Sequence, residues 1–407
     1  MAGPLYGVRV LDLSRVLAGP WCTQILADLG AEVIKVERPG EGDETRQWGP
    51  PWLLDRNGNE TREAAYYLSC NRGKHSITVD IGKPEGQALI RELAAVSDVF
   101  VENFKTGGLT NRKLDYASIR EVNPRIVYCS ITGFGQSGPR AQEAGYDYLI
   151  QGMAGLMSIT GNADGEPGAG PQRVGVAVGD LTTGMYAAIA ILGALFHRAG
   201  LGQGQYIDLA LMDTQVSWLA NQALNYLISG KCPTRTGAQH PNLAPYQPFR
   251  TRDGYVIVAI GNDGQFQRFC REAGCAELAD DARFRSNPDR IVNRKPMIEA
   301  LQKVMVTRGS AEWMQSLAAV SVPCGPINSI EEAFNDPQVR HRGMKIELDH
   351  PLSGKVPGVA NPIKFSETPL EYSKAPPSLG EDTDGILARI LHKTADDIAK
   401  LRTTHTI

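Results

Sequence analysis

The chain has 407 residues, 42 basic against 45 acidic, for a net charge of −3. That length outgrows a single hydrophobic core, so two domains are expected, and the balanced charge offers no global field for nucleic acid or an anionic membrane. With 42% hydrophobic and 21% charged residues the composition excludes disorder and collagen-like repeats, and seven scattered cysteines, none spaced C-x-x-C, fit a reduced compartment without a zinc site.

The opening MAGPLYGVRVLDLS lacks a basic region followed by an apolar run and a cleavage site, so no signal peptide is expected and a cytoplasmic protein is the simplest reading. Short β-branched runs then alternate with helical stretches: VRVLDL (8–13), a helix around 20–30, and VIKVER (33–38). The pattern continues with SITVDI (76–81), a helix over 84–95, DVFVEN (98–103), a second helix and IVYCSI (126–131). This is β-α-β grammar, and strands apolar on both faces belong to a parallel sheet covered by helices, so the expected class is doubly wound α/β. The strongest helix spans 180–199; its apolar run MYAAIAILGALF (185–196) falls short of the about 20 residues that cross a bilayer and predicts a buried helix. QYIDLAL (205–211) and a helix over 213–228 follow, then a Gly/Pro/Asn-rich stretch (229–250), the strand YVIVAI (255–260) and several helices, together a smaller second domain. The segment 336–381 is Pro-rich and irregular, and PSLGEDTDGILARIL restores a helix near the end.

Several constellations have two readings. GFGQSG (133–138) satisfies G-x-G-x-x-G after a strand, but Pro139 and RAQEAG follow instead of a helix, and no acidic strand end comes about 20 residues on; dinucleotide binding is not expected. Asp180, in VAVGDLTTGMYAAIAIL, is either a helix N-cap or a carboxylate kept ionised by the helix N-terminus for chemistry, and both can hold together. Arg15, Arg38, Arg72 and Lys74 lie at strand ends, where an open α/β sheet binds phosphate, or are solvated surface charges. IGNDGQ (260–265) is a turn or a flexible lid. Neither H-E-x-x-H nor G-x-S-x-G occurs, which argues against zinc or serine hydrolysis.

The ordered motifs VRVLDLSRVLAGPWCTQILADLGAEVIKVERPGEGD, CNRGKHSITVD, VENFKTGGL, NPRIVYCSITGFGQSGP, AGYDYLIQGMAGLM and VAVGDLTTGMYAA closely resemble the class III coenzyme A transferases. That family includes formyl-CoA transferase, carnitine-CoA transferases and α-methylacyl-CoA racemase. GNDGQFQRFC, VPCGPINSIEEAFNDPQV and PPSLGEDTDGIL extend the likeness over nearly the whole chain. The resemblance implies a Rossmann-like large domain built from both chain ends, an inserted smaller α+β domain, and two subunits interlocked as rings. On this sequence it implies residues 1–205 as the first part of the large domain, 206–228 as a linking strand and helix, 229–330 as the small domain, and 331–407 as the return. It further implies Asp180 as the acyl-carrying nucleophile, passing through a mixed anhydride and an enzyme-bound thioester. Coenzyme A thioesters would be substrates, with no metal and no permanently bound cofactor. Implied coenzyme contacts are Val16, Ala18, Arg38, Asn103 and Phe104, with Arg72 and Lys74 as further phosphate candidates. Where relatives often carry a basic residue before L-G-L, this chain has Asn111-Arg112-Lys113, so either Arg112 supplies the charge or the contact is absent. Gly261 and Gly264 occupy the place of the family's glycine-rich loop, which shields the anhydride from water.

Tyr146, counted with the coenzyme contacts, also separates branches. Racemases similar to this chain carry His in A-G-H-D, whereas AGYDYL puts a weakly acidic phenol there, which favours transfer over racemisation. The run GAQHPNLAPYQPFRTRDGY resembles the branch using succinyl-CoA with glutarate, itaconate or sulfinate analogues, and Arg235, His240 and Arg250 could meet a second carboxylate. The alternatives are an acyl-CoA racemase or isomerase and a non-catalytic coenzyme A-binding scaffold.

Overall fold

The computed structural model describes residues 3–407. β1 (Arg9–Asp12), β2 (Glu32–Glu37), β3 (Lys74–Thr78), β4 (Val99–Glu102), β5 (Val127–Thr132) and β6 (Tyr206–Ala210) form one sheet in the order β3-β2-β1-β4-β5-β6. Every neighbouring pair is parallel. Successive strand residues face opposite sides. Leu11, Ile34, Ile77 and Phe100 join one core with helices Pro84–Ala95 and Thr383–Leu391. Val10, Val33, Val99 and Val127 join the other with helices Ala18–Asp28 and Val178–Leu201. The chain is thus α/β with a doubly wound parallel sheet. Its winding reverses between β1 and β4, the place where such sheets open a ligand crevice at the strands' carboxyl ends.

The chain divides into two compact units. The first comprises the residues up to Gly155, Gly175–Leu219 and Gln338–Ile407; the second comprises Leu156–Val174 and Ala220–Pro337. Leu156–Val174, read from sequence as part of the large domain, groups with the second unit. The C-terminal return is secured in the first unit by Asp382, whose carboxylate meets His75 Nδ1 at 2.8 Å and the Ser76 amide at 3.0 Å on β3. The second unit holds an antiparallel sheet of Cys324–Gly325, Tyr255–Ala259 and Tyr246–Arg250, with Phe249, Val256, Phe266, Phe269 and Trp313 in its core.

Two expectations need correction. Residues 336–381 are not irregular throughout: Lys345–His350 and Gly354–Val359 pair as a hairpin. Pro357 is tolerated because a two-stranded ribbon leaves outward-facing backbone positions unpaired, and Leu348 and Val356 tuck under Ala375. The helix carrying MYAAIAILGALF is buried on one face only. Thr183, Ala187, Ala188, Ile191 and Ala194 pack inward, whereas Met185, Tyr186, Ile189 and Phe196 form an exposed apolar stripe. By length and composition this 24-residue helix could cross a membrane, but its inward face is a protein core.

Candidate active site

After β1 the chain turns through Ser14–Val16 into helix Ala18–Asp28, and side chains from neighbouring strand ends take up the turn's backbone groups. Lys35 of β2 donates to Ser14 O at 2.9 Å. Asn103, just past β4, accepts from Arg15 N at 2.9 Å and donates to Arg15 O at 2.7 Å. Asp43 accepts from Val16 N at 3.3 Å. Beside this turn lies a cavity of about 410 Å³ with Arg15, Arg38, Phe104 and Arg112 on its walls, along with Glu41 and Glu44. The Arg15 guanidinium sits 5.1 Å from the Phe104 ring centre. Nε of both Arg15 and Arg112 is buried without a hydrogen-bond partner, and such cationic donors are what phosphate oxygens satisfy. Among the described residues Arg38 holds only an exposed ion pair to Glu41 at 3.0 Å, a weak contact that a phosphate can displace.

Other expected contacts are placed differently. Lys74 is completely buried and spends its three donors on Asp12 (3.3 Å), Pro20 O (2.9 Å) and Asn71 (2.8 Å); it is a core ion, not a phosphate ligand. Arg72 is likewise buried, in a bidentate pair with Asp28 at 2.9 and 2.6 Å. Position at a strand end was the sequence signal for both, and it cannot distinguish an inward from an outward side chain. Asn103 lies at the crevice, but its amide is committed to Arg15. GFGQSG opens no helix: the next helix after β5 is Asp147–Met153, so no helix N-terminus exists there for a pyrophosphate.

Asp180 is the third residue of helix Val178–Leu201, whose cap is Ala177; the N-cap reading of Asp180 is therefore incorrect. The orphan amide of Gly179 is met instead by Asp147, whose Oδ1 accepts from it at 2.7 Å while Gln151 donates to Oδ2 at 2.8 Å. Among the described residues the Asp180 carboxylate accepts no hydrogen bond. Partial burial, and then the charge of Asp147, raise its pKa to about 7. Tyr66 stands near enough that burial and the Asp180 charge push its phenol up. One turn along the helix, a Cβ on Gly184 would lie 2.6 Å from Ala18 O, so glycine there lets this helix close on Ala18–Asp28 and sets the Asp180 turn beside Ala18. Asp147, Gln151 and Tyr66 were not singled out from sequence, although Asp147 adjoins Tyr146 in AGYDYL. Tyr146 itself is 66% exposed and precedes helix Asp147–Met153.

Gly261 and Gly264 belong to the second unit, where the expected lid is a capped helix start. Asn262 accepts from Gln265 N at 2.9 Å, Gln265 accepts from Gly261 N at 2.7 Å, and Asp263 pairs with Arg290 at 2.7 Å.

A crevice at the sheet's switch point with arginines among its walls, and a carboxylate of raised pKa in the first turn of a helix packed on Ala18–Asp28, suit acyl chemistry on a phosphate-bearing thioester. The sequence profile of "CoA-transferase family III" matches residues 5–383. The chain belongs to that family. It is 49% identical to a succinate–glutarate CoA-transferase of Agrobacterium fabrum, over 95% of this chain and 96% of that protein. To the human succinyl-CoA:glutarate CoA-transferase it is 46% identical, over 95% of this chain and 86% of that one. A crystal structure of a CAIB/BAIF family protein from Brucella suis superposes with a TM-score of 0.84 at 49% identity, covering 96% of this chain and all of that one. As a class III CoA-transferase the chain takes coenzyme A thioesters and carboxylic acids as substrates.

Proposed function

We propose that this family III transferase moves coenzyme A from succinyl-CoA to glutarate or a similar small dicarboxylate, with Asp180 as the covalent acyl carrier. Asp180 attacks the thioester carbonyl, the C–S bond breaks, and the coenzyme A thiolate leaves a mixed anhydride. The thiolate then attacks the aspartyl carbonyl and expels succinate, which leaves an aspartyl thioester. The incoming carboxylate displaces the thiolate to form a second anhydride, and the thiolate attacks its acyl carbonyl to release the new acyl-CoA and free Asp180. The observation that carries this reading is the Asp180 carboxyl, raised to about 7, without hydrogen-bond partners among the described residues and in the first turn of the helix that closes on Ala18–Asp28: a more basic carboxylate is a better nucleophile. The helix N-terminus supplies positive potential for the developing oxyanion.

Acid specificity is supported by the named relatives, whose names give glutarate as a substrate. Of the three cations in the second unit considered from sequence for a second carboxylate, Arg235 is engaged by Asp164, His240 accepts two backbone N–H groups at Nδ1, both at 3.1 Å, and Arg250 carries no ion pair among the described residues. The exposed stripe Met185, Tyr186, Ile189 and Phe196 supports a homodimer, because such a patch on a soluble chain marks an association surface.

With succinyl-CoA and glutarate, Asp180→Ala is expected to abolish glutaryl-CoA formation, a loss of at least about 10³-fold. Hydroxylamine or borohydride trapping during turnover should label Asp180, as read by peptide mass spectrometry. Label on any other residue overturns the mechanism.

A further inference from the structure

Val16 has φ +69°, a left-handed conformation that is a genuine outlier for a β-branched residue. Such strain persists only where the surroundings over-determine it, and it gathers at functional sites. Here the surroundings are identifiable. Asp43 is buried, accepts from the Val16 and Thr45 amides at 3.3 and 3.0 Å, and is paired with the equally buried Lys35 at 2.9 Å. Lys35 also holds Ser14 O, and Asn103 takes both backbone groups of Arg15. Three side chains from outside the turn thus pin three consecutive residues, and the middle one, Arg15, lines the crevice with its guanidinium paired to Glu44 and its Nε buried without a partner. Burial would raise the Asp43 carboxyl, but the Lys35 charge together with the hydrogen bonds from Thr45 and Lys35 outweighs it and keeps the carboxyl below the ordinary range, so the clamp is a charged one.

We propose that Asp43, clasped by Lys35, is a positioning residue for coenzyme binding: it holds Val16 in the left-handed conformation that presents the Ser14–Val16 turn to the coenzyme, and Asn103 acts through that turn. The inference rests on the coenzyme A-transferase reading above. It assigns Asn103 and Asp43 the same task, and gives the buried Lys35–Asp43 pair a role in ligand geometry. Without the Asp43 acceptor, Val16 relaxes to negative φ and Arg15 swings from its place at the crevice wall.

The test is calorimetric titration of coenzyme A into the full-length protein, alongside steady-state kinetics with succinyl-CoA and glutarate. Wild type that takes up no coenzyme A sinks the functional reading itself, separately from this one. D43N is expected to weaken coenzyme A binding, and raise KM for succinyl-CoA, about tenfold, with kcat within about twofold of wild type. Because D43N takes from the buried Lys35 ammonium its directly bonded carboxylate, leaving the more distant Asp12 and Glu37 charges, K35M/D43N is measured beside it, which removes the buried cation as well. Adding V16G to either background should restore most of the lost affinity, since glycine adopts positive φ without strain; a general packing defect would not respond to that change. N103A combined with D43N should weaken binding no further than D43N alone. Wild-type affinity in D43N or K35M/D43N, absence of rescue by V16G, or full additivity with N103A overturns the proposal.

Discussion

Asp147 and Asp180 are adjacent carboxylates with different tasks, and the difference comes from their hydrogen bonds. Asp147 is satisfied by Gly179 N and Gln151, whereas Asp180 has neither. The kcat/KM profile should therefore show an acid limb set by Asp180 near pH 7, where its carboxyl has been lifted to about 7. In D147N the like charge is gone while an amide oxygen still caps Gly179, so the limb should move to lower pH by about one unit; an unmoved limb in a pH–rate series would remove Asp147 from the account. Stability follows with the opposite sense. Asp180 is raised from 3.8 in the reference state to about 7 in the fold, so between those values the folded chain holds a proton that the unfolded chain has released. Stability is then lost as pH rises through that window. D180N should be more stable than wild type at about pH 8, by about 1–2 kcal/mol, with the advantage fading towards about pH 4; urea titrations at the two pH values measure it.

At the level of elements, the helix that bears Asp180 is placed by Gly184 against Ala18. G184V would drive a branched side chain into backbone 2.6 Å away at Ala18 O. A loss of about 2–3 kcal/mol in unfolding free energy, read from denaturant titration, is expected, together with a fall in kcat beyond what the unfolded fraction explains, because the shift carries Asp180 with it. The parallel strands were legible in the sequence because β-branched runs apolar on both faces have few other uses. The Lys345–Val359 hairpin was not, since Pro357, Gly354 and Gly358 read as breakers until their ribbon is seen. Strand-end Lys74 and Arg72 looked like phosphate ligands, yet the fold turns them towards Asp12 and Asp28. One-dimensional position does not say which carboxylate a cation will meet.

For the whole molecule, the apolar face of Met185, Tyr186, Ile189 and Phe196 is expected to be covered by a second copy. Light scattering on the wild type should give a dimer mass, and I189E/F196E should shift it to the monomer while leaving near-ultraviolet circular dichroism native-like; a dimeric double variant would place the interface elsewhere. Alternating β and α periodicity, balanced charge and a string of ordered motifs by themselves determined the α/β class, the transferase family and the candidacy of Asp180, because these depend on local pattern and residue order. Only the tertiary structure decided that Asp147 and not Asp180 caps the helix, that Lys74 is a core ion, and that Asn103, Lys35 and Asp43 converge on the Ser14–Val16 turn, strained at Val16. Those are encounters between residues far apart in the chain, and their chemistry is set by burial and by the partner each group meets.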